Sequence, residues 1–240
     1  MTEAEWLACT HPAEMLQGLG RRPSKRKRRL FVCAACRHIW HLIPDKRSRS
    51  AVLVAERFAD GLAGSDELTV ARAEAAVVLK EQKSQRSKEW ASRACYCSVL
   101  KRSGDAVKVW VSVCYALQMH ELPPRTPHRD SRVDLPTMMR VWDEGFSCLV
   151  GMLRDIFGPL PFRAVFLDPA WHTPTVMELA RASYDKRSLP AGTLDTSRRA
   201  VLADALEDAG CDNADILGHL RGPGPHVRGC WVVDLILGKQ

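Results

Sequence analysis

Two cysteines and two histidines lie within nine residues, in Cys33-Ala-Ala-Cys36-Arg-His38-Ile-Trp-His41. Thiolate and imidazole are ligands that zinc prefers in proteins. The segment has a helical pattern, however, and on a helix Cys33 and Cys36 share the apolar face while His38 points nearly opposite and His41 lies to one side. We therefore expect packed free cysteines here, and we predict that the protein binds no metal and no cofactor.

A basic segment at 21–29 is the second candidate. The first 50 residues carry the whole net charge of +7, chiefly in this segment. Its five consecutive cations span more than one helical turn, so we expect that turn to be solvated. At a helix N-terminus positive charge is disfavoured, and binding DNA or RNA would relieve this; the alternative is a charged edge that serves only solubility. The cations are Arg21, Arg22, Lys25, Arg26, Lys27, Arg28 and Arg29.

The third candidate is the loop Arg221-Gly-Pro-Gly-Pro-His226-Val-Arg228-Gly229. Its backbone N–H groups could hold an anion together with the side chains of Arg221, His226 and Arg228. Prolines remove two of the donors, and the pattern matches neither a Walker loop nor GxGxxG. The favoured interpretation is a rigid turn that folds the last helix back onto the body and buries Trp231.

Sequence signatures of catalysis are absent. Gly145-Phe-Ser147-Cys-Leu149 lacks the last glycine of the GxSxG elbow, and HExxH does not occur. The sequence therefore predicts that the protein is not an enzyme.

Proline and glycine divide the chain into unlike parts. Only four of these residues lie between 25 and 121, whereas fourteen lie between 159 and 240, which predicts long helices followed by short ones. Prolines cluster in between and predict an irregular linker. The predicted parts are an N-terminal helical part (1–121), a Pro-rich linker (122–136) and a C-terminal helical part (137–240).

The predicted fold class is all-α, an irregular multi-helix protein with short C-terminal helices. Two local questions stay open. Residues 107–115 alternate as a strand would, although helix is favoured because helix-forming residues follow. Residues 66–102 form either one long helix or two, since the stretch 82–88 has no apolar residue.

The composition bears on the cellular location of the protein. No apolar run reaches the roughly 20 residues that span a bilayer, which predicts no membrane partner. The first residues do not have the pattern of a signal peptide. Nine cysteines, an odd number in mostly apolar helical stretches, favour reduced thiols in a cytoplasmic protein.

Several long motifs resemble a large paralogous family of planctomycete bacteria. The resemblance covers most of the chain, with residues 66–136 matching least. It implies a cytoplasmic protein and assigns no catalytic residue. The motifs are Met1-Thr-Glu-Ala-Glu-Trp-Leu7, Leu153-Arg-Asp-Ile-Phe-Gly158, Leu167-Asp-Pro-Ala-Trp171, Leu202-Ala-Asp-Ala-Leu-Glu-Asp-Ala-Gly-Cys211 and Arg221-Gly-Pro-Gly-Pro-His-Val-Arg-Gly-Cys-Trp-Val-Val-Asp234.

We therefore expect a non-catalytic helical scaffold or regulatory module that uses its helical faces to hold a protein partner. The sequence does not identify that partner. The alternative hypothesis is a nucleic-acid-binding protein that uses residues 21–29. A salt titration separates the two, because phosphate contacts give a steep salt dependence.

Overall fold

A computed structural model describes residues 1–20, 24–83, 87–100, 106–121 and 135–239. The described residues form α-helices joined by turns and loops, and two isolated β-bridges are their only extended pairings. The predicted all-α fold is confirmed. The helices are α1 (Glu3–Ala8), α2 (Pro12–Leu19), α3 (Lys25–His38), α4 (Lys46–Ala59), α5 (Ser65–Glu81), α6 (Ser87–Ser98), α7 (Ala106–Glu121), α8 (Leu135–Phe157), α9 (Pro174–Asp185), α10 (Thr196–Asp208), α11 (Ala214–Arg221) and α12 (Trp231–Ile236).

Short polar side chains begin many of these helices. Thr2 and Glu5 form a complete capping box at α1, in agreement with the sequence pattern. Ser24 caps α3 by accepting a hydrogen bond from the Lys27 amide. Asn213 caps α11 in the same way.

Both open questions about the long helices are resolved. Residues 106–121 are helical, so the alternating valines lie on a helix. Helices α5 and α6 are separate, on either side of the stretch that lacks apolar residues. The apolar pattern followed by Pro44 predicts that α3 runs from Ser24 to Ile43, but α3 ends at His38, and a short 3-10 helix, Trp40–Leu42, follows it.

The apolar core consists of two clusters. The larger one joins α1–α8, and it includes Leu149 and Leu153 of α8. The smaller one joins α9–α12 with neighbouring loops. The larger core therefore includes a helix from beyond the predicted linker. Residues 122–134 of that linker lie outside the described residues, and 135–136 already belong to α8.

Helix α12 packs onto the end of α8. Trp231 is only 2% exposed, so the predicted burial of this side chain is confirmed. A methyl group added at Gly158 would lie 2.5 Å from the Trp231 ring, and Gly158 also has a positive φ of 52°. Glycine is therefore required where α8 ends.

Candidate metal centre

The four residues of the 33–41 motif are dispersed. Cys33 and Cys36 are completely buried in the larger core, and burial raises the pKa of the Cys33 thiol well above its usual value. The Nδ1 atom of His38 instead lies 3.4 Å from the Sγ atom of Cys148. His41 is exposed.

The basic segment is not solvated as expected, because three of its five consecutive cations point into the protein. Arg26 donates two hydrogen bonds to Asp234, at 2.5 and 3.0 Å. Its Nε atom donates to Asp60 at 2.9 Å. The side chain of Asp234 is 1% exposed and that of Asp60 is fully covered. Arg26 therefore neutralises two buried carboxylates that lie far away in the sequence.

Lys27 and Arg29 are also buried, at 7% and 6% exposure. The Lys27 ammonium donates to the carbonyl oxygen of Ile156 at 2.7 Å. The Arg29 guanidinium donates to the carbonyl oxygens of Ser98 and Leu100 at 2.5 and 3.0 Å. These two cations bind the ends of neighbouring helices, and burial lowers the pKa of each.

Lys25 is exposed and Arg28 is half-buried, and only these two of the five are available to a nucleic acid. Arg28 also donates to the carbonyl oxygen of Gly20. Arg21 and Arg22 lie outside the described residues.

The predicted anion-binding side chains of the 221–229 loop do not converge. Arg221 pairs with Glu207 on the surface. Arg228 pairs with the covered carboxylate of Asp60. His226 is 5% exposed and points into the protein, where it joins a different cluster.

That cluster consists of Asp155, His219, His226 and Cys230. Asp155 lies in the last turns of α8 and His219 in α11. His226 lies in the loop that follows, and Cys230 is the residue before α12. The side chain of Asp155 is 2% exposed, that of His226 4% and that of His219 17%, while Cys230 is completely buried.

One heteroatom from each residue points toward a common centre. The Oδ1 atom of Asp155 lies 3.0 Å from His219 Nε2 and 2.8 Å from His226 Nδ1. His219 Nε2 lies 3.3 Å from Cys230 Sγ, and all four atoms lie within 4.8 Å of one another. Around a tetrahedral zinc ion, with bonds of about 2.0–2.3 Å, neighbouring ligand atoms are about 3.3–3.8 Å apart. Small shifts would therefore place all four around one ion.

The outward-facing atoms of two members are held in place. Asp155 Oδ2 accepts a hydrogen bond from the Val227 amide at 2.8 Å. His226 Nε2 lies 3.2 Å from the carbonyl oxygen of Gly222, which can only accept a hydrogen bond. A histidine that binds a metal through one nitrogen commonly donates its other N–H to such a carbonyl. His226 therefore has its Nδ1 atom turned toward the centre and its Nε2–H bond directed away from it.

Cys230 lies at the N-cap position of α12, and its side chain makes no capping hydrogen bond there. Burial and the neighbouring Asp155 raise the pKa of the Cys230 thiol well above its usual value. A cation at the centre would reverse this effect, because a coordinated thiol loses its proton.

Asp155 carries the negative charge of the cluster. Burial alone would raise the pKa of this carboxyl, but hydrogen bonds from His219 and His226 lower it to about 2. The carboxylate is therefore ionised at neutral pH. Hydrogen bonds from ring N–H groups, or a metal ion between the carboxylate and the ring nitrogens, can stabilise this negative charge.

The arrangement does not fit a Cys-His-Asp nucleophile. In such a triad the carboxylate binds one ring nitrogen and the nucleophile faces the other. Here Asp155 and Cys230 both contact the same atom, His219 Nε2. Convergence on one nitrogen suits a shared ion or a shared hydrogen bond.

The loop that carries His226 is fixed against α8. A methyl group at Gly151 would lie 2.5 Å from the Pro225 ring, so glycine is required for this close approach. Gly224 has a positive φ of 86°, which glycine adopts without strain. The two residues place His226 beside Asp155.

The sequence interpretation missed this centre for an identifiable reason. It treated His226 as part of an anion loop and did not consider His219 or Cys230, which flank that loop. The His-x6-His-x3-Cys spacing within 219–230 was the available signal. Asp155, 64 residues before His219, could be found only from the fold.

No protein-family model, curated protein or solved structure matches the chain. None of the described helices is long and apolar enough to cross a bilayer.

Proposed function

We propose that this protein binds one Zn²⁺ ion through Asp155 Oδ1, His219 Nε2, His226 Nδ1 and Cys230 Sγ. The observation that supports the proposal is the convergence of these four atoms within 4.8 Å. The Val227 amide and the Gly222 carbonyl oxygen hold the outward atoms of two ligands.

Zinc suits this set of donors better than magnesium or calcium, which prefer oxygen ligands. A thiolate, two imidazoles and a carboxylate are its ordinary ligands, and four protein ligands are typical of a structural site. The ion would join α8, α11 and the start of α12. Its role is to fasten the C-terminal segment to the larger core.

The test is metal analysis of protein purified without chelator, followed by titration of the metal-free protein with Co²⁺. We expect one equivalent of metal and a thiolate-to-cobalt charge-transfer band. Cys230→Ser should abolish the band. Cys211→Ser is the matched control, because Cys211 is also buried in the C-terminal part but lies outside the cluster.

Less than a tenth of an equivalent of metal, together with no cobalt band, would contradict the proposal. A band that survives in the Cys230→Ser variant would show that the metal lies elsewhere.

The second candidate function is the non-catalytic protein-interaction module predicted from the sequence. It is favoured by four large apolar side chains that are 45–62% exposed on α4, α5 and their connecting turn: Leu53, Leu62, Val70 and Val77. Val70→Glu combined with Val77→Glu should abolish a stoichiometric complex recovered from native cells. Leu189→Glu is the control, since Leu189 is 68% exposed elsewhere. If the double variant still forms the same complex as the wild-type protein, this surface does not bind the partner.

Nucleic-acid binding stays a prediction with a smaller set of residues. Lys25→Gln combined with Arg28→Gln should flatten the salt dependence of binding to duplex DNA by about 0.9 for each phosphate that the variant no longer neutralises. Lys80→Gln, an exposed cation on α5, is the control. An unchanged slope, or no binding at low salt, would exclude this use of the described part of the segment.

A further inference from the structure

The candidate metal centre borders a surface cleft of about 260 Å³. Asp155, His219 and His226 line this cleft, while Cys230 is fully buried behind them. An ion held by all four would therefore have the thiolate on its inner side and the cleft on its outer side. Zinc can expand from four ligands to five, so a small molecule in the cleft could reach it.

Arg154 lines the same cleft. Its terminal nitrogen donates to the carbonyl oxygens of Leu7 and Cys9, at 2.6 and 2.9 Å. Its Nε atom is buried and has no hydrogen-bond partner in the described part of the chain. No carboxylate in that part pairs with it either, in contrast to Arg26 and Arg221, which bind carboxylates directly.

The charges at the cleft consequently do not cancel once the ion is bound. The carboxylate of Asp155 and the thiolate of Cys230 neutralise the two charges of Zn²⁺, and two neutral imidazoles complete the set. Arg154 then remains as a positive charge that lines the same cleft and has no carboxylate partner among the described residues. Guanidinium and zinc are two groups that proteins commonly use to hold oxyanions.

We propose that the cleft binds one small oxyanion, a carboxylate or phosphoryl group, between the metal ion and Arg154. The inference rests on the proposed zinc site. A phosphate ion fits the cleft, because a water molecule occupies about 30 Å³ in the liquid and phosphate needs the space of only a few. The glycine and proline residues of the 222–225 loop leave this side of the centre without bulky side chains.

The experiment uses the full chain loaded with Co²⁺ and titrates it with inorganic phosphate, then separately with acetate. We expect a saturable change in the cobalt spectrum that corresponds to one anion per ion. Arg154→Gln should raise the dissociation constant of the anion roughly ten- to hundredfold, as removal of a charged hydrogen-bond donor does. Arg181→Gln, an exposed arginine on α9, should leave it unchanged.

The outcomes separate the two proposals. A normal cobalt spectrum that neither anion changes would overturn the oxyanion site and leave the zinc site intact. Equal anion affinity in wild type and Arg154→Gln would overturn the role of Arg154. Absence of the cobalt band itself would contradict both the zinc site and the oxyanion site. If Arg154→Gln fails to fold, Arg154→Lys keeps the charge without the planar fork, and it should weaken anion binding while the cobalt band persists.

Discussion

The first turn of α3 and the loop between α11 and α12 both bring charged side chains into the protein, but they use them differently. In α3 the buried cations pair directly with acceptors: Arg26 binds two carboxylates, one of which also binds Arg228, and Lys27 binds a carbonyl oxygen. Around Asp155, by contrast, three other residues each bring one nitrogen or sulfur atom close to the same carboxylate. The difference teaches that burial of charge alone indicates structure, whereas convergence of unlike donors on one point indicates a ligand.

The largest expected effect is in the α3 turn. Arg26→Gln leaves the carboxylates of Asp60 and Asp234 buried with fewer partners, and breaking such a buried pair costs roughly 3–5 kcal/mol of unfolding free energy. Denaturant unfolding measures it. Lys25→Gln, an exposed neighbour, should stay within about 0.5 kcal/mol. If both variants unfold alike, the buried pairs of Arg26 do not contribute to stability.

The buried cations also correct the expectation drawn from the sequence. A solvated turn predicts that replacement of the five consecutive cations by glutamine leaves folding almost unchanged. With three of them buried, such a variant would unfold before its nucleic-acid affinity could be measured.

The second effect concerns the stability that zinc would give through the Asp155 cluster. Zinc at a free concentration of about 1,000 times its dissociation constant should stabilise the protein by about 4 kcal/mol. Chelation should remove that gain, and the Cys230→Ser variant should never show it. Melting temperature measured with and without zinc tests this. A zinc-independent melting temperature in the wild-type protein would make the Asp155 cluster a hydrogen-bonded core like the α3 turn.

A third effect concerns the dependence of stability on pH. Imidazoles surround the carboxylate of Asp155, whereas permanent cations surround that of Glu56. Arg37 binds Glu56 at 2.6 and 2.7 Å, and Arg187 binds it at 3.2 and 3.3 Å. Burial raises the pKa of Glu56, but the two guanidiniums more than offset this and lower it below its ordinary 4.5. A depressed carboxyl pKa contributes stability that is complete above the ordinary value and is lost as the pH falls through the folded value.

Glu56→Gln should therefore reduce the dependence of unfolding free energy on pH below about 4.5, by at most about 1.4 kcal/mol per pH unit. Unfolding curves at several acidic pH values measure this slope. Glu144→Gln is the control, since Glu144 is exposed and pairs with its i−4 neighbour on the surface of α8. An identical acid slope in wild type and Glu56→Gln would contradict the expectation.

The sequence predicted most of the helices because their signals are local. Caps such as Thr2, breaks such as the polar stretch at 82–88, and apolar stripes lie within a few residues of the elements they define. The end of α3 was misplaced because Pro44 marks where a helix cannot continue but not where it stops. The residues before Pro44 form a 3-10 turn, Trp40–Leu42, although their composition is equally compatible with an α-helix.

The candidate centre and the buried cations could not be predicted because their partners are distant in sequence. A helical wheel gives the direction of Arg26, but not what lies opposite it; Asp60 and Asp234 are 34 and 208 positions away. In the same way, the spacing of His219, His226 and Cys230 could suggest three ligands, but only the fold places Asp155 beside them. Chemistry that depends on tertiary contacts needs the fold.

The smallest expected effect concerns Arg221, which resembles Arg26 in its contacts and differs in exposure. Arg221 makes forked hydrogen bonds to Glu207 and Asp204, at 2.6–2.8 Å. Both carboxylates and Arg221 itself are 41–64% exposed, so water screens the pairs and replaces them readily. Arg221→Gln should therefore produce no resolvable change in melting temperature, whereas Arg26→Gln produces a large one. A substantial destabilisation by Arg221→Gln would mean that forked geometry, and not burial, determines the strength of these pairs. Phosphate titration of the same variant should match wild type, because the carboxylates of Glu207 and Asp204 already occupy its donors.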